Sequence, residues 1–159
     1  MGLDLILYKK IKPIQEMTFE EQQSSQLAYG RKTWSIADFF TRRCKEIEDD
    51  YLYEVTKEDW DTFMKTFNRL EDPDFRQGVE AFIKFWLIAD SDDEDCEEYK
   101  RAYKILRSWF VETINYNYKY LFPLGFEWEL MTLLSWYNAN EKVQQAFADG
   151  YTVELVQSY

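Results

Sequence analysis

Seven carboxylates fall within nine residues, Asp90, Asp92, Asp93, Glu94, Asp95, Glu97 and Glu98, and they separate two strongly aromatic segments, 81–88 and 99–110. Mutual repulsion keeps such a run in water, while the aromatic segments on either side demand burial. The simplest arrangement is a helical hairpin over 79–122 whose helices supply much of the core and whose tip carries the charge. With 159 residues, 46% apolar and 19% aromatic, one globular domain over 1–159 can bury such a core, and nothing in the composition points to disorder.

The ends of the chain read differently from its middle. Leu5, Ile6, Leu7 and Tyr8 form a short apolar run stopped by lysines and Pro13, which predicts a strand over 3–9. A terminal strand needs a partner, and Tyr151 to Gln157, with its partial alternation, is the other convincing candidate. The expectation is a mainly α (α+β), aromatic-rich domain with a small sheet that pairs the N- and C-terminal strands. Between them, Thr18 with Glu21 has the form of a capping box and opens a helix over about 19–28 that Gly30 ends. Ser35 is placed to cap a helix carrying Ile36, Phe39, Phe40 and Ile47, which frays at Glu46, Glu48, Asp49 and Asp50. Thr56 precedes the clearest helix, with Trp60, Phe63, Met64, Phe67 and Leu70 on one face. Pro73 opens the next, with Phe75, Val79, Phe82, Ile83, Trp86 and Leu87 repeating to about Ala89. After the acidic run a long helix carries Tyr99, Ala102, Tyr103, Leu106, Phe110, Val111 and Ile114 towards Tyr120, and Pro123 and Gly125 close it. Residues 127–137, aromatic enough to leave a strand open, read as a helix, and Asn140 to Ala148 as a short one before the turn at Asp149 and Gly150.

Charge narrows the partners. The formal net charge is −11, and residues 71–100 hold eleven acidic side chains against three basic ones. Nucleic-acid phosphates and anionic lipid repel such a molecule, and basic surfaces attract it, so direct nucleic-acid binding is not expected. No apolar run approaches the roughly 20 residues that span a bilayer. Asp4 interrupts the first apolar stretch and Lys9, Lys10 and Lys12 follow it, the reverse of a secretory signal, so the expected location is cytoplasmic. Those lysines read most simply as protection of an edge strand.

The chain has no histidine, which removes Ser-His-Asp and Cys-His mechanisms and nearly all histidine-containing metal sites. Its five glycines are scattered and form no phosphate loop. A calcium loop starting at Asp90 fails at its sixth position, Asp95 in place of Gly, and at its twelfth, Arg101 in place of Glu. Neither a cofactor nor a metal is therefore expected. Cys44 and Cys96 lie far apart and imply no disulfide framework; Arg42 and Arg43 are placed to lower the Cys44 pKa, but without an evident base Cys44 reads as a packed side chain. Paired carboxylates such as Glu127 with Glu129, or Asp59 with Asp61, have the composition of an acid/base site, but 30 acidic residues make chance pairs abundant. Tyr116, Tyr118, Tyr120 and Trp128 read as core and interface aromatics, since a nucleic-acid stacking platform needs more basic neighbours than Lys119 alone.

The opening Met1-Gly2-Leu3-Asp4-Leu5-Ile6-Leu7-Tyr8-Lys9-Lys10 resembles the start of a group of small bacteriophage and prophage proteins of unassigned function that begin MGLDMYLYK. The segment from Tyr29 to Phe40 is similar to that group's second block, roughly YWRKANAIHKWF, through Tyr29, Arg31, Lys32, Ile36 and Phe40. Gly30 stands where that block has Trp, and Ala37 where it has His. The resemblance implies a phage accessory protein, and by analogy an antagonist of host defence of the anti-CRISPR kind, which blocks a basic nucleic-acid channel. The leading expectation is thus a non-enzymatic inhibitor that docks on the basic surface of a host protein through Asp90, Asp92, Asp93, Glu94, Asp95, Glu97 and Glu98. A metal- and carboxylate-dependent hydrolase or transferase is second, and a self-associating structural protein third.

Overall fold

The structure, a computed structural model, describes residues 3–89, 96–114 and 124–158. The chain ends do meet. Strand β1 (Asp4–Lys9) pairs antiparallel with β5 (Val153–Ser158), Leu5 opposite Gln157 and Leu7 opposite Leu155. These two strands are the middle of a sheet rather than the whole of it. Strand β2 (Gln26–Arg31) flanks β1, and the hairpin of β3 (Lys45–Glu48) and β4 (Leu52–Val55) flanks β5, giving the antiparallel order β2-β1-β5-β4-β3.

Two of the added strands, β2 in part and β3, replace what reads as helix in the sequence, and β4 fills a stretch that reads as no element. The first helix, α1 (Phe19–Ser25), has the capping box expected of Thr18 and Glu21 but stops at Ser25, and Gly30 lies inside β2. That glycine is required by close approach: a Cβ there would stand 2.7 Å from Thr33 Oγ1 and 3.0 Å from Thr132 Cγ2. Helix α2 (Trp34–Thr41) also ends early. The acidic cluster beyond it turns through Asp50, at φ 53°, a left-handed conformation that Asp tolerates, and returns as β4. Lys9, Lys10 and Lys12 guard no edge, because β1 is interior. Instead the Lys9 ammonium lies 4.8 Å from the Tyr151 ring centre, Lys10 Nζ is 3.8 Å from Glu154, and Lys12 Nζ bridges Glu21 at 2.7 Å.

Alternation along the strands sorts the sheet into two faces. Leu5, Leu7, Val55, Val153 and Leu155 belong to the main core, which the helices complete. Tyr8, Leu52 and Val156 point the other way and are covered by Met17, with Ile14 and Tyr51 at the margin. Because both faces of β5 are buried, its sequence lacks the clean alternation of a half-exposed strand.

The helices after the sheet follow their local signals closely. Helix α3 (Lys57–Thr66) starts at a capping box of Thr56 and Asp59 and buries Trp60 and Phe63, with Phe67 and Leu70 continuing the stripe through a 3-10 turn, Asn68–Glu71. Helix α4 (Pro73–Ile88) has Pro73 in its first turn and buries Val79, Phe82 and Ile83, but Leu87, expected on that face, is 60% exposed and Trp86 only half-buried. Helix α5 (Glu97–Ile114) packs on it through Tyr99, stacked on Phe82 at 5.0 Å. Helices α6 (Phe126–Asn138) and α7 (Asn140–Ala148) complete the layer.

The expected hairpin is thus a pair of packed helices, but the centre of the core lies elsewhere. Phe40 of α2 contacts Phe63 at 5.1 Å, Trp136 at 5.6 Å and Trp60 at 6.0 Å, joining α2, α3 and α6 over the sheet. Such aromatic contacts add to the area they bury, about 0.5–1.5 kcal/mol per pair.

Cys44 is buried and Cys96 exposed, and both are free thiols. Burial, with the nearby Asp59 carboxylate, pushes the Cys44 thiol up in pKa and outweighs Arg43, as suits a packed side chain rather than an activated thiol. In native protein one thiol should react with an aromatic disulfide reagent and the second only on denaturation. Two thiols reacting natively at equal rates would contradict this placement.

Candidate partner-binding surface

Of the seven clustered carboxylates, Glu97 and Glu98 form the exposed first turn of α5, where negative charge complements the helix dipole. Asp90, Asp92, Asp93, Glu94 and Asp95 lie outside the described residues, as do 115–123, which include most of the tyrosine-rich segment. The same acidic window contributes Glu71, Asp72, Asp74 and Glu80, and all four are exposed. Asp72 caps α4 by accepting the Asp74 N–H at 3.0 Å, and Glu80 pairs with Arg76 at 3.4 Å, one turn away. Among the described residues, no other carboxylate of this window is in an ion pair.

The carboxylate pairs do not converge. On α6, Glu127 accepts a short hydrogen bond from the Tyr99 hydroxyl of α5, whereas Glu129 points into the core. On α3, Asp59 completes the capping box with the Thr56 N–H, and Asp61 accepts from Lys57 and Gln144. Among the described residues, no three Cys, Asp or Glu side chains gather as a metal would need, and no helix is long and apolar enough to cross a membrane.

Two buried acids carry the electrostatics that the sequence hid. Glu129 is 0% exposed; its Oε1 accepts the Trp34 N–H at 3.1 Å and its Oε2 the Ser35 hydroxyl at 2.5 Å. It caps α2 from another helix, replacing Thr33, whose side chain makes no cap bond. Burial dominates those bonds and pushes its pKa up to about 8. A carboxyl beside a serine at a helix N-terminus has the parts of a general base and nucleophile, but the pair is sealed in the core and no reacting atom has a route to it. Glu154, in the central strand, is 1% exposed and accepts from the Tyr8 hydroxyl at 3.1 Å. Burial and this carboxylate together raise the Tyr8 pKa. Glu54 stands directly opposite on β4, so two acids are neighbours on the smaller face of the sheet.

The outer edge of β2 is closed by two tryptophans. Trp136 Nε1 donates to the Tyr29 carbonyl at 3.1 Å and Trp128 Nε1 to the Arg31 carbonyl at 2.7 Å, so α6 occupies acceptors that a foreign strand would use. At the other end of α6 a cavity of about 260 Å³ opens beside its junction with α7, lined by Glu71, Arg76, Tyr137 and Glu141 among others. Tyr137 is 4% exposed, with the Glu71 carboxylate beside its hydroxyl. Burial and the nearby Glu71 carboxylate push its pKa up to about 12.

Comparison with protein-family models, with curated proteins and with solved structures returned no match.

Proposed function

We propose that this protein is a non-enzymatic, acidic binding protein that inhibits another protein, a host defence or nucleic-acid-processing factor, by occupying its basic surface. The observation that carries this reading is the acidic window: its six described carboxylates, Glu71, Asp72, Asp74, Glu80, Glu97 and Glu98, all face solvent, on a chain of net charge −11. Self-repelling charge of this kind adds little to folding, and it speeds encounter with a basic partner. The first ten residues resemble phage accessory proteins of unassigned function, and the inhibitory role is drawn from that by analogy.

Affinity capture from host lysate identifies the partner, and the quadruple variant Asp92→Asn, Asp93→Asn, Glu94→Gln and Asp95→Asn then tests the surface. Association should slow by about tenfold or more at low salt, and binding of the unmodified protein should weaken steeply as salt rises. An association rate unchanged by the four substitutions overturns the acidic surface as the contact.

A further inference from the structure

Independently of the acidic-surface reading, we propose that a second copy of this chain docks antiparallel on the outward face of the α4–α5 pair, completing a four-helix bundle. Both helices carry two apolar stripes. One faces the core, with Val79, Phe82 and Ile83 on α4 and Leu106, Phe110 and Ile114 on α5. The other faces outward: Gly78, Ala81, Phe85 and Ile88 recur on α4 at intervals of three, four and three residues, with Ala102 and Ile105 on α5. A groove of about 250 Å³ between the helices is lined by Gly78, Ala81, Phe85 and Ala102 among others, which puts the two halves of the stripe on one surface. Ile88 is 73% exposed and Ile105 54%, so the described residues leave this stripe uncovered. Its spacing is that of knobs-into-holes packing, in which each helix of a bundle meets two neighbours. Gly78 fits the same arrangement. Glycine is a poor helix former, yet a Cβ at this position would meet nothing within 4 Å, so the free chain has room for a side chain there. A second helix crossing the groove at close range uses that room.

Charge complementarity selects a second copy as the occupant and sets its direction. Helices α4 and α5 run antiparallel, with Phe82 against Tyr99 at one level and Phe75 against Trp109 at another. Lys84 and Arg101 therefore flank the outward stripe at one end, and Asp74 and Glu112 at the other. All four are exposed, and none is in an ion pair among the described residues. Glu98, one turn before Arg101, offsets part of the positive end. A two-fold axis across the helices lays α4 on α4 and α5 on α5 head to tail, so the cationic end of each copy meets the anionic end of the other. It also keeps Glu97 and Glu98 of the two copies at opposite ends of the bundle. A copy docked in the same direction would instead set Lys84 against Arg101 and Asp74 against Glu112, like charge on like.

The test is sedimentation velocity on the intact protein. At about 100 μM, well above a micromolar dissociation constant, the parent should sediment as a dimer. Gly78→Gln puts a long, helix-compatible side chain into the groove; it should weaken dimerisation by about a hundredfold or more while helical circular dichroism and cooperative unfolding are retained. The double variant Lys84→Glu with Arg101→Glu should be monomeric, and so should the double variant Asp74→Lys with Glu112→Lys, because each sets like charges against each other across the two-fold axis. Mixed in equal amounts, the two double variants should form a heterodimer, a recovery that unfolded chains would not give. A parent that is monomeric at this concentration overturns the proposal, as does a Gly78→Gln dimer as tight as the parent's. Double variants that dimerise alone as well as the parent, or that fail to pair when mixed, overturn it as well. None of these positions belongs to the quadruple substitution at 92–95, so failure of the dimer and failure of the acidic contact surface are separate results.

Discussion

Removing residues 151–159 should abolish cooperative folding rather than merely loosen one end of the sheet. Within the sheet of the described residues, β5 alone joins the β2-β1 pair to the β4-β3 hairpin, so its loss divides the sheet in two. It also takes Val153, Leu155 and Val156 out of the core, all buried. Emptying one such site costs about 2–5 kcal/mol, and a domain of this size has a net stability of only about 5–15 kcal/mol. Circular dichroism of the truncated chain should show no cooperative thermal transition, and the protein should aggregate through the two edges left unpaired on β1 and β4. Ser158→Ala, at the exposed end of the same strand, should leave the melting temperature almost unchanged. A truncated chain that stays soluble with the parent melting curve would refute the central position of β5.

The second large effect concerns Glu129 and pH. Its carboxyl titrates near 4.5 in an unfolded chain and at about 8 in the native core, so between these values the native state holds a proton that the unfolded state has released. The stability contributed by this group is complete below pH 4.5 and is lost as pH rises through about 8. At about 1.4 kcal/mol per pH unit, the interval amounts to roughly 5 kcal/mol as an upper bound. Because the chain contains no histidine, few other side chains titrate in that interval, and the slope should be readable directly. Urea unfolding of the parent should show stability falling from pH 5 to pH 9. Glu129→Gln keeps an oxygen for the Trp34 N–H and an amide donor for Ser35, so it should match the parent near pH 5, show a much flatter profile, and exceed the parent at pH 9. Parallel profiles for the two proteins would mean that Glu129 is ionised in the native state.

This residue also shows why little of the internal chemistry was legible beforehand. Glu129 stands beside Glu127 in the sequence and reads there as half of a chance carboxylate pair. Its role as a helix cap depends on Trp34 and Ser35, 95 and 94 residues away, and no local pattern announces a cap supplied by another helix. Glu154 was hidden in the same way. Alternation along the last strand puts it opposite Val153 and Leu155, on a face that would be solvent in a two-stranded ribbon and is closed here by residues around Met17. Glu97 and Glu98, the described end of the acidic run, are exposed as self-repulsion leads one to expect whatever the fold.

The sequence by itself determined the features whose causes are local. Thr18 and Thr56 cap their helices with acids three residues on, Pro73 starts α4, and the stripe of Trp60, Phe63, Phe67 and Leu70 faces inward, because capping bonds and helical periodicity span only a few residues. The meeting of the two chain ends was also readable, since a terminal apolar strand needs a partner for its backbone and each end was the clearest candidate for the other. Only the tertiary structure decided the rest of the sheet. Gln26–Arg31 and Lys45–Glu48 have little strand character of their own; the first is held by the ladder to β1 and the second by its hairpin with β4. Tryptophans about a hundred residues away satisfy the outer carbonyls of β2, and Gly30 lies in that strand because Thr33 and Thr132 leave no room for a side chain. Strand formation depends on which backbone arrives alongside, and that is set by the packing of the whole chain rather than by the residues of the strand.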